Sequence, residues 1–196
     1  EWSTGSTTAL INISPQVTTT YSVTVTDEKG CQSVGTVTVI VHALPIVVIT
    51  GDKELCEGGS TTLYGSGGIM YEWSNGETTS WITVSPAITT SYGLTVTDAN
   101  GCQSSTFATV VVNTLPVGVI IGDTEICRGE GTTLTATGGM NYSWSTGSTT
   151  SSITVNPVVT TTYEVVVGNI SGCLNTVSVT VVVHALPVVE ILGDDE

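Results

Sequence analysis

The sequence predicts an all-β protein made of small tandem sandwich domains, and three observations predict it. Of 196 residues, 37 are Thr and 29 are Val, β-branched types that suit a pleated, half-buried surface. The chain repeats itself every 71 residues without insertion or deletion, as Trp2, Trp73 and Trp144 show. Tyr21, Tyr92 and Tyr163 keep the same step, and so do Leu44-Pro45, Leu115-Pro116 and Leu186-Pro187. Such self-similarity marks a chain of stacked structural units. Short runs of alternating apolar and polar residues lie between Gly, Asn, Asp and Pro, the pattern of strands bounded by turns.

The repeat sets the expected domain boundaries. Residues 1–45 are the carboxy-terminal part of one repeat, 46–116 and 117–187 are complete repeats, and 188–196 start the next. The chain begins and ends inside a repeat, so it is expected to be a window on a longer repetitive protein.

Within residues 46–116, Ile46 to Thr50 reads as a first strand, closed by Gly51-Asp52. Ser60 to Gly65 is a second, with Leu63 inward. Met70 to Ser74 is a third, in which Tyr71 and Trp73 share a face. Asn75-Gly76 gives a tight turn. Ser80 to Val84 follows, with Ile82 and Val84 inward, and Pro86 ends it because proline cannot donate to a ladder. Ser91 to Thr97 alternates Tyr92, Leu94 and Val96 with polar neighbours, and Asp98 to Gly101 is a hairpin turn. Gln103 to Asn113 is a long last strand with Ala108, Val110 and Val112 on one face. About seven short strands in such a length is the pattern of an immunoglobulin-like β-sandwich. With the stiff, short Leu-Pro joints, the expected form is a rod.

Each aromatic has a place in that scheme. Trp73 and Trp144 are expected in the cores. Tyr92 and Tyr163 are expected as core or corner residues whose hydroxyls find backbone partners. Trp81 stands where the other copies have Leu10 and Ser152. Alternation turns it outward, opposite Ile82, as a candidate contact.

The five cysteines follow the repeat. Cys56 and Cys102 are 46 residues apart, as are Cys127 and Cys173. One disulfide within each repeat is the natural reading, with the partner of Cys31 outside the fragment. A unit of this size has a marginal core, and a bridge would add stability comparable with that of the whole domain. Persistent disulfides place the chain outside the cytosol, secreted or at the cell surface.

Composition excludes several functions. Lys and Arg number 3 against 17 Asp and Glu, a net charge of −14, so the positive footprint of a nucleic-acid binder is absent. No apolar run reaches the length of a membrane-spanning helix. With 40% hydrophobic residues disorder is not expected. No nucleophile, base and orienting group recur together within a unit, so an enzyme is not expected. His42 and His184 are equivalent, but the middle copy has Asn113 there. No cofactor is expected beyond calcium. For calcium the candidates are the acidic pairs Asp52/Glu54 and Asp123/Glu125, repeated as Asp194/Glu196, each just after a Leu-Pro joint.

One resemblance adds to this reading. Cys56-Glu-Gly-Gly-Ser-Thr-Thr-Leu, Tyr71-Glu-Trp-Ser-Asn-Gly-Glu-Thr-Thr-Ser, Ile82-Thr-Val and Tyr92-Gly-Leu-Thr-Val-Thr-Asp-Ala-Asn-Gly-Cys102 resemble the immunoglobulin-like, PKD-like repeats of large secreted Bacteroidota surface proteins. The resemblance implies export of the type IX kind and company with gliding-motility adhesins. The third copy departs from it, with Gly168-Asn169-Ile170-Ser171-Gly172 in place of the Thr-Asp-x-x-Gly turn. The expected function is a structural segment of a long extracellular filament or stalk. The alternatives are an adhesin that binds surfaces or glycans, and a spacer in a secreted enzyme. The expected partners are neighbouring repeats of the same chain and, laterally through exposed sheet edges, further copies of it.

Overall fold

A strand with one wet face and one dry face must pair its backbone sideways and bury its apolar side chains against a second layer. From residue 48 onward this chain does both, whereas the hairpin of residues 19–39 pairs its backbone but has no buried residue. The computed structural model describes residues 1–190, and among them there are strands but no helix. The strands are β1 (Thr19–Thr26), β2 (Gln32–Val39), β3 (Val48–Thr50), β4 (Glu54–Cys56), β5 (Thr61–Ser66), β6 (Met70–Trp73), β7 (Trp81–Val84) and β8 (Thr90–Thr97). They continue with β9 (Gln103–Asn113), β10 (Val119–Ile121), β11 (Glu125–Cys127), β12 (Thr132–Thr137), β13 (Asn141–Trp144), β14 (Ser152–Val155), β15 (Thr161–Gly168) and β16 (Leu174–His184).

The sheets have one design. A three-stranded sheet β3-β5-β7 accompanies a four-stranded sheet β4-β9-β8-β6. The same orders recur as β10-β12-β14 and β11-β16-β15-β13, while β1 and β2 form a hairpin. The protein is all-β, of immunoglobulin-like sandwich type.

The chain forms two compact units. Among the described residues, one holds 1–52, 61–84 and 91–109; the other holds 53–60, 85–90 and 110–190. In the first, Leu63, Trp73, Leu94 and Val96 are the deepest side chains. In the second, one cluster joins Ile126, Leu134, Ala136, Trp144, Ile153, Val155, Tyr163, Val165, Val167 and Val181. Burial of a Leu or Val side chain of this kind contributes about 1.5–3 kcal/mol. Every second residue is buried along β12 and β14, and those between are exposed or, at Thr135, half-buried, as the sequence pattern requires.

The predicted strands of residues 46–116 are present, with ends moved by up to two residues. One strand was not predicted. β4 has three residues, too few for alternation to register, and it pairs in parallel with the end of β9, with Cys56 opposite Asn113. Its counterpart β11 pairs with β16, with Cys127 opposite His184. A parallel partner has no hairpin turn to announce it.

Candidate functional site

β4 decides where the cysteines go. The bridge in the structure joins Cys56 to Cys173, with Cα atoms 5.6 Å apart at a sequence separation of 117. The expected pairs Cys56–Cys102 and Cys127–Cys173 are therefore corrected: Cys31, Cys102 and Cys127 are free thiols. The reason is register. Cys127 lies opposite the last residue of β16, and Cys173 stands just before its first. The 11 residues of β16, at about 3.3 Å each, separate the two cysteines by far more than the roughly 7 Å that a disulfide spans. Cys56 opposite Asn113 and Cys102 just before β9 repeat that arrangement. A cysteine at the β4 position can therefore meet only a hairpin cysteine of a different repeat. Here both bridged residues lie in the second compact unit.

The turn before Cys173 is built to present it. The Asn169 side-chain oxygen accepts the N–H groups of Ser171 and Cys173, both at 3.0 Å. The Asn169 amide group also donates to the Thr114 carbonyl at 2.9 Å, and that of Asn175 donates to the Pro116 carbonyl at 3.0 Å. Residues 113–116, which connect one repeat to the next, are thus hydrogen-bonded to the β15–β16 hairpin next to the bridge.

Asp27 and Asp98 hold the equivalent turns in the same way. Asp98 accepts from Asn100 and Cys102 at 2.8 and 2.9 Å; Asp27 accepts from Lys29 and Cys31 at 2.9 and 2.8 Å. The departure of the third copy is thus one of chemistry and not of shape, because the Asn oxygen replaces a carboxylate oxygen. Desolvation of the Asp98 carboxyl works to raise its pKa. The N–H groups of Cys102 and Asn100, the Asn100 side chain and the His42 imidazole outweigh it and hold the carboxyl below its ordinary value.

The other candidate residues fall in separate places. Trp73 and Trp144 are 2% and 3% exposed, and their indole N–H groups donate to the carbonyls of Thr79 and Thr150, each at 2.9 Å. Tyr163 is buried and Tyr92 half-buried. The tyrosine hydroxyls that donate to backbone carbonyls are instead those of Tyr71 and Tyr142, to Gly68 and Gly139 at 2.8 Å. The sequence signal for this was available: each of those tyrosines lies three residues beyond the second Gly of a Gly-Gly pair.

Of the acidic candidates, Glu125 faces His184, with Nε2 3.4 Å from its carboxylate. Asp52 uses its backbone carbonyl to accept from the Thr61 hydroxyl at 2.8 Å. Asp123 follows β10, and Glu54 opens β4. Among the described residues no three His, Cys, Asp or Glu side chains gather in a metal-binding group. Asp194 and Glu196 lie outside the described residues.

Trp81 is half-exposed on the edge strand β7, in register with Tyr64, which is also exposed. Tyr64 was not singled out from the sequence. In the following repeat this pair is Thr135 and Ser152. Beside Trp81, residues Asn75, Glu77, Thr79, Ile82 and Thr83 help line a recess of about 230 Å³, smaller than the usual small-molecule pocket.

No protein-family model matches the chain, and no curated protein matches it. Solved structures similar to it include a Ca2+-stabilised adhesin with which an Antarctic bacterium binds ice, at 16% identity and TM-score 0.41, covering 86% of this chain and 57% of that one. Murine CEACAM1b is similar at 11% identity and TM-score 0.36, covering 72% and 100%. A mixed-linkage glucan-binding protein of Bacteroides ovatus, SGBP-B, is similar at 18% identity and TM-score 0.23, covering 86% and 53%. These likenesses are too distant to transfer a function.

Proposed function

We propose that this chain is a structural segment of a long extracellular protein that forms a filament or stalk at the cell surface. The observation that carries the proposal is the Cys56–Cys173 bridge, which covalently ties one repeat to the next. Load along a fibre can pull neighbouring repeats apart. A bridge across a connection, with hydrogen bonds to the carbonyls of Thr114 and Pro116 beside it, opposes that separation. Such a bond persists in an oxidising compartment, which supports a place outside the cytosol. The excess of acidic residues opposes random clumping of such chains. Electron microscopy of purified native material tests the proposal. Rods with a regular repeat are expected, and flexible strings of beads without one would overturn it.

A second reading, an adhesive surface, is favoured by one observation, the exposed Tyr64–Trp81 pair. Adjacent aromatic side chains offer a flat face of the kind that sugar rings stack on. Loss of glycan-array binding in Trp81→Ser would support it, and no binding by the parent chain would sink it. A spacer role in a secreted enzyme calls for a catalytic domain elsewhere in the full-length protein. A Bacteroidota source and export of the type IX kind rest on the sequence resemblance alone.

A further inference from the structure

We infer that Cys127 and Cys102 are the two unfilled halves of the bridge seen between Cys56 and Cys173, and that each takes a cysteine from another repeat of the same register. The inference rests on the tandem reading above and specifies its partner, a further copy of this repeat.

Both halves are already shaped as the paired ones are. On the strand side, Cys56 lies opposite Asn113 and Cys127 opposite His184. Glu57 N–H donates to the Asn113 carbonyl at 2.8 Å, and Arg128 N–H donates to the His184 carbonyl at 2.9 Å. The turn that follows is closed by Gly59 N–H to the Cys56 carbonyl and by Glu130 N–H to the Cys127 carbonyl. On the hairpin side, Asp98 grips Cys102 N–H as Asn169 grips Cys173 N–H. The turn closures Gly101 N–H to the Asp98 carbonyl and Gly172 N–H to the Asn169 carbonyl are both 3.1 Å. The unpaired thiols are accessible, Cys127 exposed and Cys102 partly so. The bridging step is thiol–disulfide exchange. Two thiols give up two protons and two electrons to an oxidised disulfide, such as that of a thiol oxidoreductase, which leaves as two thiols. Cys127 would thus bind the hairpin cysteine of a following repeat, and Cys102 the strand cysteine of a preceding one.

The test uses the full chain, first unextended and then extended in register. A copy of residues 126–196 is appended after Glu196, its hairpin marked by Ile170→Val; separately, a copy of residues 46–71 is placed before Glu1. Each protein is oxidised with a glutathione redox pair and its disulfides are mapped by mass spectrometry. In the first, Cys127 is expected to join the copied Cys173, with Cys56 still joined to its own Cys173. In the second, Cys102 is expected to join the copied Cys56. Each extension should remove the alkylation of one thiol that the unextended chain shows. Cys127 and Cys102 still fully alkylated while Cys56–Cys173 is intact would overturn the inference. So would Cys56 joined to Cys102 in the unextended chain. Regular rods in the microscope with Cys127 still free would remove this inference and leave the stalk standing.

Discussion

Single residues set the local geometry. Gly138 has φ of 90°, in the left-handed region, and a Cβ there would lie 1.9 Å from the Val117 carbonyl oxygen. The backbones of residues 117 and 138 approach this closely only without a side chain. Gly138→Ala is expected to destabilise the second unit by about 2 kcal/mol or more, read as a lower midpoint in urea unfolding. Asp98 predicts a pH effect. Its folded-state pKa lies below the ordinary value, so its stabilising contribution is complete above the unfolded-state pKa and is lost as pH falls through the folded one. Thermal midpoints of the parent chain should fall on acidification below about pH 4. Asp98→Asn keeps the acceptor oxygen that Asn169 uses and should show a shallower acid decline. Identical acid limbs for the two proteins would refute the role given to the carboxylate.

At the level of elements, the strands of the second unit's core have a face that holds the fold and a face that does not. β12 shows this within one segment. Leu134 is fully buried between the flanking strands β10 and β14, whereas the hydroxyl of its neighbour Thr133 meets that of Thr154 on the exposed face at 3.1 Å. Leu134→Ala should cost about 3 kcal/mol through lost burial and the cavity left behind. Thr133→Ala should cost under about 1 kcal/mol. Equal losses in chemical denaturation would mean that the two faces are not distinguished as described. Strands with this alternation were legible in the sequence because their period is visible over four or more residues. β4 was not legible, and the disulfide expectation went wrong with it. Without β4, nothing placed Cys56 at the far end of β9 from Cys102. Spacing along the chain then stood in for distance in space.

For the whole molecule, the bridge is the strongest single constraint. It closes a loop of 117 residues, and on the chain-entropy model a loop of that size stabilises by about 4–5 kcal/mol. Cys173→Ser should therefore lower the unfolding midpoint of the second unit sharply while leaving the β1–β2 hairpin pairing intact, as hydrogen exchange would report. An unchanged midpoint would show that the bridge is not made in solution.

The sequence by itself determined the all-β class, the period of the repeat, most strands and the side each one buries. These follow from local composition and alternation, which act over a few residues at a time. It also singled out the exposed Trp81, because a lone departure from a strict repeat is visible by inspection. Only the tertiary structure decided which cysteines meet, that Tyr64 stands beside Trp81, and that Asn169 can do the work of Asp98. Those depend on register between segments distant in the chain. A parallel pairing of three residues fixes that register here, and it leaves almost no trace in the order of the amino acids.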